Sequence, residues 1–235
     1  MRAGSVVVII PTLNEQDSVA EVVSTIPRPP VDRIIVADGP SSDATGTRAA
    51  HAGAEVIKVG RGYGRACATA VEAAADAEII VFMDGDGADD PGRIPDLIAP
   101  IRAGTHDFVI GSRVRGERET GSMAWHQVTA GLFAGALLRV LYGVRYTDMC
   151  AFRAIRREQL LRLKMREMTY GWNIEMQIRA ARARLRVLEV PVSYRRRLGG
   201  RSKVAGNFRG SARASIQIMG TLIRVLVAGK SRSKA

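Results

Sequence analysis

Two aspartates separated by one glycine, Asp84 and Asp86, directly follow the apolar run 79–83. Carboxylates that leave a buried strand at this spacing can point into one small volume, where their oxygens suit a hard divalent cation. Mg²⁺ or Mn²⁺ bound in this way keeps open positions for phosphate oxygens. We therefore predict a metal site at these two aspartates, with a solvated acidic turn as the alternative.

Polar turns also follow two neighbouring apolar runs. Run 5–10 leads into the turn 11–15, and run 33–37 ends at Asp38. Ligands of an open parallel sheet bind at the carboxyl ends of its strands, so these turns and the Asp84 turn should meet at one edge. Asp38 could accept hydrogen bonds from a nucleobase or ribose, or could serve only as a turn carboxylate.

Short apolar runs alternate with alanine-rich segments through the first half of the chain, which predicts β-α units and a mostly parallel sheet flanked by helices. The predicted strands are 5–10, 33–37, 55–59, 78–83 and 107–110, and the predicted helices between them are 15–25, 42–52, 65–75 and 92–102. After Gly111 we expect a polar loop at 112–121, helices at 124–141 and 172–184, and a strand at 186–192.

The positive charge is concentrated at the C-terminal end. The chain of 235 residues has 35 Lys and Arg against 23 Asp and Glu, a net charge of +12. Residues 190–235 hold 11 basic side chains and no carboxylate, which leaves 24 basic and 23 acidic residues before them. Such a segment suits nucleic acid, an anionic membrane surface or a phosphorylated substrate.

A basic amphipathic helix is predicted from about residue 207. Its apolar face has helical spacing and comprises Ala212, Ile216, Met219, Ile223 and Leu226. This helix either packs on its own domain or docks on a membrane surface.

Composition excludes several other classes of protein. A hydrophobic content of 46% excludes global disorder, and the scattered Cys and His residues exclude a disulfide scaffold and a zinc module. No signal peptide and no apolar run of about 20 residues is visible, so we expect no transmembrane helix. We expect a cytoplasmic protein that can also lie peripherally on the inner face of the membrane. The basic segment offers only Tyr194 and Phe208 for base stacking, which argues against a nucleic-acid partner.

Several motifs occur together and in order along the chain. They are Pro11-Thr12-Leu13-Asn14-Glu15, the Asp38 turn, Asp84-Gly85-Asp86, Ser112-Arg113, Asp148 with Phe152-Arg153, and Glu189-Val190-Pro191-Val192 before 195–203. This ordered set resembles the inverting family 2 glycosyltransferases, and within them the dolichol-phosphate mannose synthase or polyprenyl-phosphate glycosyltransferase branch. Two aspartates after the triplet, Asp89 and Asp90, could assist the metal.

The resemblance implies a GT-A nucleotide-sugar-binding fold over residues 1–206, with a donor-binding half at 1–111 and an acceptor half at 112–206. Residues 207–235 would form the basic helix and tail. The implied donor-binding residues are Pro11, Thr12, Leu13, Glu15, Asp38, Asp84, Gly85 and Asp86. The implied contacts to donor or acceptor phosphate are Arg113, Arg195, Arg197, Arg201, Ser202 and Lys203.

The expected reaction is metal-dependent transfer of a hexose from a UDP-glucose or GDP-mannose class donor, with inversion, to an acceptor expected to be a polyprenyl phosphate. A phosphate acceptor is already an anion and needs little help from a base. A hydroxyl acceptor would need one, and the candidates are Asp148 and then Glu175. The alternatives are a sugar nucleotidyltransferase, disfavoured because turn 11–15 is not a glycine-rich loop, and a nucleic-acid- or membrane-binding basic module.

Overall fold

The structure is a computed structural model that describes residues 4–123, 125–199 and 220. Its strands are β1 (Val6–Thr12), β2 (Arg33–Asp38), β3 (Glu55–Lys58), β4 (Ile79–Phe82), β5 (Phe108–Ser112), β6 (Arg153–Arg156) and β7 (Val187–Pro191). Its helices are α1 (Val19–Thr25), α2 (Thr45–His51), α3 (Tyr63–Ala73), α4 (Ile94–Arg102), α5 (Trp125–Tyr142), α6 (Arg157–Leu163) and α7 (Trp172–Arg182), with a 3-10 turn at Pro91–Arg93.

The seven strands form one sheet in the order β3-β2-β1-β4-β6-β5-β7. β1 pairs in parallel with β2 and β4, β2 with β3, and β5 with β7. Only β6 is antiparallel to its neighbours, β4 and β5. The mostly parallel sheet flanked by helices is therefore confirmed, and it follows from the β-α alternation of the first half.

The central strands β1 and β4 are buried along almost their whole length. Val6–Ile10 of β1 and Ile79–Val81 of β4 have no exposed surface. Helix α3 packs against β1 and β2, while α4 packs against β5 and β6. Because helices cover the sheet, these strands are continuous apolar runs instead of alternating ones.

Two helices begin three or four residues later than the sequence predicts, and polar side chains organise the chain before them. The segment predicted as helical from residue 15 becomes α1 only at Val19, since the Glu15 amide donates instead to Thr45 Oγ1 at 2.8 Å. The segment predicted from residue 42 becomes α2 at Thr45, whose amide donates to Asp43 Oδ1 at 3.0 Å.

Strand β6 and helix α6 are absent from the predicted elements. β6 has only four residues, Arg-Ala-Ile-Arg, and its first side chain, Arg153, is fully buried. A short strand with an arginine at each end gives neither an apolar run nor a regular alternation. The helix predicted from about residue 207 lies outside the described residues apart from Gly220. Within 4–123 and 125–199, no helix is both long and apolar enough to cross a bilayer.

Candidate active site

The carboxyl ends of β1, β2 and β4 lie side by side. The parallel register places Thr12 opposite Asp38 and Ile9 opposite Phe82. Thr12 Oγ1 donates to Asp38 Oδ1 at 3.2 Å. The polar turns that follow these strands therefore share one edge of the sheet, where open α/β sheets bind ligands.

Asp38 is fully buried at the end of β2 and has three protein donors. Besides Thr12, Ser41 Oγ donates to Oδ1 at 2.6 Å, and Lys58 Nζ lies 2.5 Å from Oδ2. A Cβ on Gly46 of α2 would lie 2.9 Å from that Nζ and 3.0 Å from that Oδ2, so a larger residue there would press on this ion pair. These donors fix the orientation of the Asp38 carboxylate at the edge of the sheet.

Side chains of other residues fix the Asp84-Gly85-Asp86 loop by hydrogen bonds to its backbone groups. Ser18 Oγ donates to the Gly85 carbonyl at 2.7 Å, and the Asp84 amide donates to Asp89 Oδ2 at 3.2 Å. A Cβ on Gly85 would lie only 2.8 Å from the Thr12 methyl group, so this loop packs tightly on the end of β1. Asp86 Oδ1 accepts the Ala88 amide at 3.0 Å.

The carboxylates of Asp84, Asp86 and Asp89 repel one another in a buried part of this loop. Burial, with the charge of Asp86 second, raises the pKa of Asp84 to about 7. Burial, with the charge of Asp84 second, raises the pKa of Asp89 well above its usual range. In the described part of the chain, no Lys, Arg or His forms an ion pair with Asp84 or Asp89.

The same loop fits a divalent cation. Among the described residues no group of three Asp, Glu, His or Cys side chains is arranged to hold a metal ion by itself. Asp84 and Asp86 nevertheless offer carboxylate oxygens from one loop, and phosphate or water can complete the shell of Mg²⁺ or Mn²⁺. The residues present therefore suit such an ion bound together with a diphosphate.

A basic segment crosses this loop. Arg197 donates to both oxygens of Glu15, at 2.9 and 3.1 Å, and its Nη1 lies 3.2 Å from Asp86 Oδ2. The Leu198 amide donates to the Asp86 carbonyl at 3.0 Å, and the Arg195 amide donates to the Ala88 carbonyl at 2.9 Å while its side chain is exposed. The structure thus joins Glu15, Asp86 and Arg197, which are far apart in sequence.

Asp148 is bound by Arg113. The Arg113 backbone amide and Nε donate to Asp148 Oδ2 at 2.9 and 2.8 Å, and Nη2 donates to Oδ1 at 2.7 Å. The guanidinium also lies 4.9 Å from the centre of the Tyr194 ring. Only 3% of the Asp148 side chain is exposed. Such a two-pronged, charge-assisted contact is strong and engages both oxygens of the carboxylate.

Glu175 belongs to another cluster. It accepts the amides of Arg166 and Glu167 at 3.0 and 2.7 Å and Arg179 Nε at 2.7 Å. These bonds organise the loop before α7, and none of them involves the Asp84 loop or Asp38. The structure therefore does not bring Glu175 together with the other predicted site residues.

Two polar residues of the site were not singled out from the sequence. Lys58 contacts Asp38, and Ser18 contacts the Gly85 carbonyl. A signal for Lys58 existed, because it ends β3 in register with Asp38 at the end of β2. The predicted phosphate-binding residues Arg201, Ser202 and Lys203 lie outside the described residues.

Residues 7–163 match the sequence profile of the family described as glycosyl transferase family 2, and the chain belongs to this family. An uncharacterized glycosyltransferase of Mycobacterium tuberculosis is 37% identical over 214 residues, which cover 90% of this chain and 94% of the relative. The undecaprenyl-phosphate mannosyltransferase of Micrococcus luteus is 31% identical over 235 residues, which cover 93% of this chain and 95% of the relative.

The fold is similar to that of a solved GT-A glycosyltransferase. The crystal structure of glucosyl-3-phosphoglycerate synthase from Mycobacterium tuberculosis with Mn²⁺, UDP and phosphoglyceric acid has a TM-score of 0.75 and 25% identity. The match covers 94% of this chain and 78% of that one. The protein is therefore a family 2 glycosyltransferase with a GT-A fold, as the ordered motifs predict.

Proposed function

We propose that this glycosyltransferase uses a divalent metal to move a hexose, with inversion, from a nucleoside-diphosphate sugar to a polyprenyl phosphate. Support for the acceptor comes from the mannosyltransferase relative of Micrococcus luteus, whose name specifies undecaprenyl phosphate. Support for the donor and the metal comes from the solved relative, which was crystallised with Mn²⁺ and UDP-glucose. The acidic loop at Asp84 and Asp86 fits both.

The observation that supports a phosphate acceptor most directly is the contact of Asp148 with Arg113. Arg113 donates three hydrogen bonds to the Asp148 carboxylate, and only 3% of the Asp148 side chain is exposed, so a hydroxyl acceptor has poor access to it as a general base. A phosphate monoester carries its own negative charge and can attack the anomeric carbon without giving up a proton. A phosphate acceptor therefore agrees with a site in which Arg113 already pairs with Asp148, the candidate base.

Each group of the site has a defined part in this proposal. Asp84 and Asp86 would hold the metal, which when bound stabilises charge on the departing diphosphate. Asp38 lies where a nucleoside would meet the end of β2. Arg197 would exchange Glu15 and Asp86 for phosphate oxygens, for which its fork of donors is well shaped. Attack from the side opposite the leaving group inverts the anomeric carbon, so no covalent enzyme intermediate is needed.

A hydroxyl acceptor is the second candidate. Glucosyl-3-phosphoglycerate synthase was crystallised with phosphoglyceric acid, which is a small water-soluble acceptor. For this reaction Arg113 would have to leave Asp148 when the acceptor binds, which would free the carboxylate to accept a proton. The two candidates therefore differ in whether the Arg113 contact persists during turnover.

An assay with two donors and two acceptors separates the candidates. The purified protein is incubated with UDP-glucose or GDP-mannose, with Mn²⁺ or with EDTA, and with either a short-chain prenyl phosphate or 3-phosphoglycerate. We expect product only with Mn²⁺ and prenyl phosphate, and NMR of the product shows an anomeric configuration opposite to that of the donor. Faster transfer to 3-phosphoglycerate than to prenyl phosphate contradicts the proposed acceptor.

A further inference from the structure

Helix α5 has a large apolar surface that the described residues do not cover. Trp125 is 78% exposed, Leu132 44%, Phe133 61% and Val140 83%. At positions i, i+7, i+8 and i+15 these side chains share one side of the helix, and we call them the outer face of α5. A solvent-facing helix side normally carries polar residues, so this surface points to an interaction site.

The opposite side of the same helix is already used by the fold. Ala134 and Leu138 are buried there, and a Cβ on Gly135 would lie 1.8 Å from the Tyr146 carbonyl oxygen. α5 thus packs directly on the turn that leads to Asp148. A helix that is apolar on both sides needs a second apolar environment for the side that the fold leaves exposed.

The charges around the outer face specify an anionic partner. Residues 122–147 contain two charged side chains, Arg139 and Arg145, and no carboxylate. Both arginines are exposed, and Arg139 lies beside Val140 on the helix. A tryptophan and aliphatic side chains bordered by arginines are the composition with which helices lie in the headgroup layer of an anionic bilayer.

We propose that the outer face of α5 docks on the surface of an anionic membrane and presents the acceptor side of the site to it. This inference rests on the proposed function, since a polyprenyl phosphate has its phosphate at the headgroup level. The buried side of α5 contacts the turn next to Asp148, and Asp148 pairs with Arg113. Docking by α5 therefore brings the phosphate layer towards the Arg113 guanidinium.

Trp125 provides a direct test, because the chain has only two tryptophans and the other, Trp172, is 2% exposed. The full chain is titrated, without donor, with vesicles of mixed phosphatidylglycerol and phosphatidylcholine. We expect the emission maximum to shift to shorter wavelength and the change to disappear in Trp125→Phe. High salt should weaken the binding, since the arginines are solvent-facing.

Matched substitutions identify the surface. In Phe133→Asp with Val140→Asp we expect vesicle affinity to fall by about tenfold or more, because two apolar side chains are lost from the interface. Leu161→Asp is the control, since Leu161 is a 49% exposed leucine on α6. It should bind vesicles like the wild type. Unchanged melting curves establish that these surface variants remain folded.

Several results would overturn the proposal. One is vesicle binding without any response of Trp125, which would assign docking to another surface. Another is strong shielding of Trp125 from acrylamide in lipid-free monomer, which would mean that the chain itself covers the face. A third is a dimer that Phe133→Asp dissociates, which would make a second copy the partner. Membrane docking by α5 without transfer to prenyl phosphate contradicts only the proposed function.

Discussion

Two acidic side chains in the region 4–111 differ in ion pairing from two in the region 112–199. In the first region Asp84 and Asp89 have no basic ion-pair partner among the described residues, and burial raises the pKa of both. In the second region Asp148 and Glu175 each accept from an arginine, Arg113 and Arg179. The contrast is local to these four side chains: the two unpaired ones lie at the sheet edge where we propose that the donor binds, and the two paired ones fix the scaffold.

One residue joins the two regions. Arg197 belongs to the second region but donates to Glu15 and contacts Asp86 in the first. In the absence of ligand its guanidinium supplies part of the positive charge that the acidic loop needs. The contrast between the regions can therefore be tested by changing one charge at a time.

The largest effect is expected for Asp86→Asn. Loss of one metal-binding charge should lower turnover by about 10²–10³-fold, as for removal of a group that stabilises the transition state. Calorimetry should show weaker Mn²⁺ and nucleotide binding with an unchanged melting temperature. Asp96→Asn is the control, because Asp96 on helix α4 is an exposed carboxylate that pairs with Arg93 outside this loop. Equal turnover of the two variants would contradict the metal site.

Asp148→Asn should affect stability more than chemistry. It leaves the Arg113 guanidinium without its charged partner, and breaking such a pair should lower the free energy of unfolding by about 3 kcal/mol. Denaturant unfolding measures this loss. The pH profile of transfer to prenyl phosphate should be unchanged in the folded variant. Disappearance of one limb of that profile would instead identify Asp148 as the general base.

Arg197→Ala should change the affinities for two ligands in opposite directions, by an intermediate amount. Without the competing guanidinium, Mn²⁺ affinity in the absence of donor should rise by about tenfold, the equivalent of one charged hydrogen bond. Affinity for the donor diphosphate should fall. Arg196→Ala is the control, since Arg196 contacts Glu119 and the Thr120 carbonyl. Weaker Mn²⁺ binding in Arg197→Ala would contradict the assignment.

The smallest effect is expected at Asp107, whose carboxylate accepts Arg186 Nε and Nη2 at 2.9 and 2.6 Å. These hydrogen bonds lower the pKa of Asp107 below its ordinary 3.8. A lowered pKa stabilises the fold above the unfolded value, and this contribution is lost as pH falls through the folded value. Asp107→Asn should therefore melt slightly earlier at neutral pH, and the difference should vanish in acid. A difference that persists in acid would contradict this pairing.

The first region could be read from the sequence because apolar runs there coincide with buried parallel strands. Strand ends fix the Asp38 and Asp84 turns, and the pairing of β1 with both β2 and β4 brings them to one edge. Helix starts were less predictable, because Thr45 and Asp43 capture backbone amides that a pattern assigns to helices. Such contacts between distant residues leave no periodic signal.

The second region was harder to read because its key contacts are charged and non-local. The bidentate pair of Arg113 with Asp148 joins residues 35 positions apart, and Arg197 reaches Glu15 across 182 positions. The sequence identified all four residues as site candidates but not their pairing. β6 was missed because its first side chain, Arg153, is a buried cation that donates to the Asn173 and Cys150 carbonyls.

The insertion of β6 between β4 and β5 has a consequence for how the chain folds during synthesis. When residues 1–111 have left the ribosome, β1, β2, β3 and β4 can pair, but the free side of β4 has no neighbour until residues 153–156 emerge. An apolar strand with an open edge is prone to wrong pairing. The nascent chain is therefore open to wrong pairing during this interval, and β4 lacks a neighbour on one side until β6 arrives.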